Sequence, residues 1–202
     1  MAKNLPQGYA EIGRWEIAQA PKWFWVVMAA FSLAALLVTW LIVPIVLAFV
    51  HGSEWGVSSQ GGELVLSLSL GSVLTVVLHE LFHGIGFRAC GARPRFGFKP
   101  WTKLGPVFYT SAPGYYLRRG EYLAAGLAPV TLLTVALFVA LALIPVNSVF
   151  SFTAYLMAGL NVAGSVGDIF LVRKVLTYPP ESYYEDREDG FVVYGSAPEA
   201  ET

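Results

Sequence analysis

Four long apolar runs constrain the fold of this chain of 202 residues more than any other feature. The first, residues 23–50, contains no acidic or basic side chain, and the others are about 64–87, 122–144 and 150–172. A helix needs about 20 apolar residues to cross the hydrocarbon core of a bilayer, and a signal peptide has an apolar core of only about 7–15 residues. The runs therefore predict an all-α membrane protein with four transmembrane helices.

The composition indicates the same environment. Hydrophobic residues make up 55% of the chain and charged residues only 13%, whereas soluble domains carry about 25% charged residues. A protein of 22.0 kDa has too little interior to bury this much apolar surface, so the expected partner is a lipid bilayer. The net charge of -1 argues against nucleic acid as a partner, and a single cysteine excludes an internal disulfide framework.

The basic residues indicate the orientation of the four runs. Of the thirteen Lys and Arg residues, three precede the first run, seven lie between the second and third, and three follow the fourth. The other two connections, residues 51–63 and 145–149, contain none. Because cytoplasmic loops next to spans are enriched in Lys and Arg, we predict a multi-pass protein of the cell membrane with cytoplasmic N- and C-termini.

The central loop, residues 90–121, contains four prolines too closely spaced for a long helix. Residues 95–99 alternate, and residues 107–110 are β-branched and aromatic, so we predict a short β-hairpin at the cytoplasmic membrane surface between helices 2 and 3. It is either an ordered connector or a substrate-binding element. We predict one polytopic membrane domain over residues 1–174 and an acidic cytoplasmic tail over residues 175–202.

Candidate chemistry is concentrated in the second run, in the H-E-x-x-H sequence of residues 79–83. On a helix, His79 and His83 share one face about 5–6 Å apart, so both imidazoles can bind one metal ion. Glu80 would then act as the general base. An ionisable group inside a membrane costs at least ~2.5–3.5 kcal/mol, which argues against a chance cluster. The alternative is a helix-packing cluster in which the histidines hydrogen-bond across the bundle.

A catalytic zinc site usually has three protein ligands, so a third ligand is expected. The remaining histidine, His51, is predicted on the opposite side of the membrane. Apart from Glu80, Asp168 is the acid that lies well inside a predicted span. At 1.5 Å per residue, His79 lies ~22 Å from the start of its span and Asp168 ~27 Å from the start of its own, so both are expected in the cytoplasmic part of the membrane. Asp168 is the predicted third ligand, and the alternative is an ion pair with a nearby base.

Small and polar residues surround these candidates. Gly159, Ala163 and Gly167 form a ridge that we expect to bring the fourth span against the second, where Gly84 and Gly86 would make room. Asn161, Ser165 and Asp168 share one helix face. Asn161 is a candidate for holding substrate or stabilising an oxyanion, or it simply bonds another helix.

These motifs resemble those of a known family. The H-E-x-x-H on one span, the sequence Asn161-Val-Ala-Gly-Ser-Val-Gly-Asp168 on another, and Leu127-Ala128-Pro129 together resemble the membrane zincin peptidases, small multipass proteins distantly similar to site-2 proteases. The resemblance covers about residues 64–174. It implies zinc (Zn2+) as cofactor, bound by His79, His83 and Asp168, and Glu80 as the catalytic acid/base.

The sequence thus predicts an intramembrane or membrane-proximal zinc metalloprotease that hydrolyses peptide bonds of membrane-anchored proteins with metal-activated water. An extended substrate segment could be held by strand addition to the predicted hairpin. The alternative is a non-catalytic metal-binding or scaffolding membrane protein. Glu80 discriminates between the two, because a binding protein has no need of a general base.

Overall fold

The computed structural model describes residues 4–52, 61–100, 106–145 and 148–196. Within them, four helical stretches are long and apolar enough to cross a membrane. They are Lys22–His51, Gly62–Ala89, Arg119–Leu143 and Val149–Val175. Their ends lie within three residues of the predicted runs, so the four helices are confirmed in number and position.

Two of the four stretches are interrupted. Helices α1 (Lys22–His51) and α2 (Gly62–Ala89) are continuous. The third stretch consists of α3 (Arg119–Ala128), a π-helical turn (Pro129–Leu133) and α4 (Thr134–Leu143). The fourth consists of α5 (Val149–Gly164) and α6 (Val166–Val175). The π-helical turn begins at Pro129, because proline cannot donate the backbone hydrogen bond of a regular helix.

The helices carry much of their apolar side-chain surface on the outside. Phe49 on α1 is 87% exposed, and large exposed hydrophobic residues recur along α1 and α2. Soluble proteins rarely expose contiguous apolar surface on this scale. The helix surfaces are therefore suited to contact with lipid.

A two-stranded antiparallel hairpin follows α2. Its strands are β2 (Arg95–Lys99) and β3 (Val107–Ser111), with Phe98 opposite Phe108. Gly97 lies opposite Tyr109, whose ring occupies the space that a side chain at Gly97 would need. The predicted hairpin between the second and third spans is therefore confirmed, although residues 101–105 at its turn lie outside the described residues.

A second antiparallel sheet corrects the all-α prediction. It consists of β1 (Tyr9–Glu16), β4 (Leu117–Arg118), β5 (Tyr183–Arg187) and β6 (Gly190–Ser196), in the order β1-β6-β5-β4. Two of its strands lie in the segment predicted as an acidic tail. The domain boundary predicted at residue 174 stays a prediction. The fold is therefore mostly helical with a small sheet, and the acids Glu185 and Asp186 of β5 have hydrogen-bond partners within the protein.

Glu185 on β5 illustrates how an acid is accommodated in this sheet. Its carboxylate accepts hydrogen bonds from the backbone N–H of Gly114 at 2.9 Å and from the hydroxyl of Tyr194 at 3.1 Å. Arg187 donates a further bond to it at 2.9 Å. These bonds hold the pKa of Glu185 below its usual value although burial acts in the opposite direction.

The chain divides into two compact units, each built from separate segments. The first comprises the described parts of Met1–Phe24, Glu80–Ala128 and Asp168–Thr202. In its core, Tyr184 and Phe191 of the sheet pack with Tyr122 of α3 and Phe87 of α2.

The second unit comprises Trp25–His79 and Pro129–Gly167. Its helices are joined by polar contacts between side chains: Thr153 donates to Ser67 Oγ at 3.0 Å. The fourth stretch does pack on α2, where a side chain added at Gly71 would meet Thr153, but Gly159 and Gly167 of the predicted ridge do not make this contact. Gly159 faces Trp40 and Leu36 of α1, and a side chain added at Gly167 would meet nothing within 4 Å.

Within the first unit, Gly86 makes a close contact between α2 and α3. A Cβ atom added to Gly86 would lie only 2.7 Å from the Cα atom of Ala125. The absence of a side chain at Gly86 therefore allows the backbones of α2 and α3 to approach each other, whereas the sequence led us to expect that this room serves the fourth span.

Gly86→Ala is therefore expected to destabilise the protein by about 1–3 kcal/mol, because the new methyl group would press on the backbone of Ala125. Thermal unfolding in detergent micelles measures the change. Gly126→Ala is the matched control on α3, since a Cβ atom there would meet nothing within 4 Å. Equal melting temperatures for the two variants would contradict the close packing of α2 and α3.

Candidate metal centre

Three of the predicted site residues come together near the end of α2 and the start of α6. His79 and His83 lie one turn apart on the continuous helix α2, and Asp168 lies in the first turn of α6. One potential ligand atom from each residue lies within 4.8 Å of the others. His83 Nε2 is 3.4 Å from Asp168 Oδ1. His51 lies outside this group, and its Nε2 is 3.0 Å from the carbonyl oxygen of Leu141.

Each imidazole has an oxygen acceptor at its Nδ1 atom. His83 Nδ1 is 3.0 Å from the carbonyl oxygen of Ala125, and His79 Nδ1 is 3.0 Å from Asn161 Oδ1. Because a carbonyl oxygen can only accept, the proton of each neutral ring is assigned to Nδ1. Both Nε2 atoms then keep their lone pairs, which is the form in which histidine binds a metal ion.

Asn161 is fully buried on α5, and its amide is oriented by the third helical stretch. Its Nδ2 group donates to the carbonyl oxygen of Pro129 at 2.9 Å and to Thr134 Oγ1 at 3.0 Å. This leaves Oδ1 to face His79. Since both N–H groups of the amide donate within the protein, the geometry favours the helix-bonding alternative for Asn161 over a role in binding an oxyanion.

The donor set fits a zinc ion. Two imidazole nitrogens and one carboxylate oxygen are a common set of protein ligands in catalytic zinc sites. Ligand atoms 2.0–2.1 Å from a tetrahedral zinc ion lie about 3.3 Å apart. The 3.4 Å between His83 Nε2 and Asp168 Oδ1 agrees with that spacing. The alternative, a simple ion pair between His83 and Asp168, does not account for the second imidazole, His79, which lies close to both.

Glu80 lies on the same helical turn as the histidines and is half-buried. Its backbone carbonyl accepts a hydrogen bond from the hydroxyl of Thr110 at 2.9 Å, which ties β3 of the hairpin to this turn. Its carboxylate acts electrostatically on both His83 and Asp186. Glu80 is thus adjacent to the donor set, where a general base would be needed.

Asp186 is a buried acid near the site that was not predicted from the sequence. Its Oδ1 accepts a hydrogen bond from the hydroxyl of Tyr122 at 2.8 Å. Burial raises the pKa of Asp186 to about 7, although the hydrogen bonds from the Tyr122 hydroxyl and from the Ala112 N–H oppose the rise. Asp186 belongs to β5, which lies in the segment predicted as an acidic cytoplasmic tail. Its burial could have been predicted only if that strand had been predicted.

Four apolar helices and a His-His-Asp donor set beside a glutamate define a candidate metallopeptidase. The family described as "Putative zincin peptidase" matches residues 72–183, which is more than half of the chain. The chain belongs to this zincin peptidase family. The matched range contains the predicted site residues His79, Glu80, His83, Asn161 and Asp168, and the match confirms the resemblance inferred from the motifs.

Other comparisons add little to this assignment. A "Synergistic-like venom protein" from Dendroaspis angusticeps is 38% identical to this chain over 50 residues, which is 25% of this chain and 58% of the relative. The chain thus spans little more than half the length of that curated relative. No solved structure matches the chain.

The proposed ligands predict the metal content of the purified protein. Wild-type protein is expected to hold about one zinc ion per chain, and His83→Ala and Asp168→Ala are each expected to lose most of it, because two ligands hold zinc far less tightly than three. Elemental analysis of detergent-purified protein measures the ratio. His51→Ala is the control and should keep its zinc. Undiminished zinc in both ligand variants would contradict the site.

Proposed function

We propose that this protein is a zinc-dependent endopeptidase, similar to site-2 proteases, that hydrolyses peptide bonds of membrane-anchored proteins. The observation that carries the proposal is the convergence of His79, His83 and Asp168 on one point, with Glu80 on the same helical turn as the two histidines. Membership of the zincin peptidase family supports it.

Each side chain has a distinct role in this proposal. The two imidazoles and the carboxylate of Asp168 would hold the ion, which supplies a Lewis acid that activates water near neutral pH and polarises the scissile carbonyl. Glu80 would take a proton from the attacking water and deliver it to the nitrogen of the leaving amine. This transfer leaves Glu80 ionised again at the end of the reaction.

The location of the site supports a membrane-anchored substrate. His79, Glu80 and His83 lie near the end of the second apolar stretch, and Asp168 lies near the end of the fourth. The one-sided distribution of Lys and Arg supports an orientation with both termini and these helix ends toward the cytoplasm of a cell membrane. A helical substrate would have to unwind first, because its backbone groups are bonded within the helix.

The β2–β3 hairpin is the proposed binding element for the unwound segment. Among the described residues, β2 and β3 pair only with each other, so each has a second edge that another strand could join. Thr110 bonds to the Glu80 carbonyl, and the Phe96 ring lies against Gly84, the residue after His83. A strand added to this hairpin would lie beside the general base.

Glu80→Gln is expected to retain zinc and fold but to lower proteolysis by about 10²–10⁴-fold, because glutamine cannot accept the proton. New protein N-termini, mapped by mass spectrometry in membranes containing wild-type or variant protein, measure cleavage. Glu63→Gln is the control, with the same change at the beginning of α2. A zinc-loaded wild-type protein whose pattern of N-termini equals that of Glu80→Gln would favour the non-catalytic alternative.

Replacement of residues 96–110 by a Gly/Ser linker tests the hairpin. The variant is expected to bind zinc but to show a markedly higher KM for a substrate identified by the N-terminal mapping, because the strand edge is lost. Initial rates over a range of substrate concentrations in liposomes separate KM from kcat. Cleavage with unchanged KM and kcat would refute strand addition at the hairpin.

A further inference from the structure

Two prolines, Pro44 and Pro129, lie inside the helical stretches. In each case a side chain from another helix is bonded to the backbone carbonyl four residues before the proline. In a regular α-helix the N–H of residue i donates to the carbonyl of residue i-4, and proline has no N–H. Pro129 therefore cannot donate to the carbonyl of Ala125, and His83 Nδ1 is bonded there at 3.0 Å. Pro44 cannot donate to the carbonyl of Trp40, and the Tyr155 hydroxyl is bonded there at 3.0 Å.

Pro129 is also connected to the second imidazole. Its own carbonyl oxygen accepts a hydrogen bond from Asn161 Nδ2 at 2.9 Å. The oxygen of the same amide accepts from His79 Nδ1 at 3.0 Å. A π-helical turn begins at Pro129, so the regular pattern of backbone bonds changes at this residue. One proline thus influences the acceptor of each candidate zinc ligand, directly for His83 and through Asn161 for His79.

We propose that Pro129 is a positioning residue that sets the orientation and tautomer of both His79 and His83 by keeping the Ala125 and Pro129 carbonyls available to them. The proposal rests on the zinc site of the proposed function. Each imidazole then presents Nε2 to the ion, while its Nδ1–H is held by an oxygen acceptor.

An alanine at this position would act on that arrangement directly. The added N–H of residue 129 can donate to the Ala125 carbonyl and compete with His83 Nδ1–H for it. A regular helix through residues 125–133 would also replace the i+5 backbone bonds of the π-helical turn by i+4 bonds, which would reorient the Pro129 carbonyl relative to Asn161. Loss of such partners of metal-bound histidines lowers metal affinity by about 10–100-fold.

The test compares Pro129→Ala with Pro44→Ala, the same change in another helix whose freed carbonyl serves a tyrosine instead of a histidine. Zinc affinity of the full-length protein in detergent is measured by chelator competition. Pro129→Ala is expected to bind zinc 10–100-fold more weakly, and Pro44→Ala to bind it like the wild type. Equal affinities in the wild type and in folded Pro129→Ala would overturn the proposal.

The tautomers of the two histidines provide a second measurement, which would not change if Pro129 had a purely structural role. In zinc-free protein labelled with ¹⁵N-histidine, at a pH high enough for both imidazoles to be neutral, NMR is expected to show both site histidines as the Nδ1–H tautomer in the wild type and in Pro44→Ala. A mixture of tautomers is expected for His83 in Pro129→Ala. An unchanged single tautomer there would overturn the proposal.

If Pro129→Ala does not fold, Asn161→Leu is measured in its place, because it breaks the connection between Pro129 and His79 with little change in volume. The same loss of zinc affinity is expected, and unchanged affinity would overturn the proposal. Wild-type protein that binds no zinc would overturn the metal site of the proposed function as well. Zinc binding that is insensitive to these variants would overturn only the role of Pro129.

Discussion

On a helix as apolar as these, a polar group in a bilayer would have to find its partner within the protein, because the surrounding lipid offers none. The two imidazoles of α2 meet this requirement through acceptors on other helices: the Ala125 carbonyl for His83 and the Asn161 amide oxygen for His79. The amide is in turn held by Pro129 and Thr134. The geometry of the candidate site therefore depends on this short chain of hydrogen bonds.

The same bonds determine what the site can do chemically. A histidine that binds a metal through Nε2 must keep its proton on Nδ1, and an acceptor at Nδ1 selects that tautomer before the ion arrives. Side chains oriented in advance have less freedom to lose when the ion binds. Thus the hydrogen bonds that satisfy the polar groups of the helices would also orient the two candidate ligands for a divalent metal.

The sequence predicted those features that depend on local spacing. The lengths of the apolar runs gave the four helices, the i, i+4 spacing placed His79 and His83 on one face, and depth along the spans brought Asp168 to the same level. The second sheet was missed because it joins segments far apart in the chain. The hairpin of β5 and β6 turns at Glu188-Asp189, with Gly190 as the first residue of β6, and the acidic composition of this segment obscured it in the sequence.

Packing partners of the helices were harder to predict than the residues that make the contacts. Small residues permit a close approach but do not specify the neighbour, and so Gly159 accommodates Trp40 of α1 while Gly86 meets Ala125. Proline is more informative, because the carbonyl it leaves without its helical donor is fixed by the chain at i-4. Pro44 and Pro129 therefore identify the Trp40 and Ala125 carbonyls from the sequence. Only the fold determines whether a tyrosine or a histidine of the candidate metal site bonds to such a carbonyl.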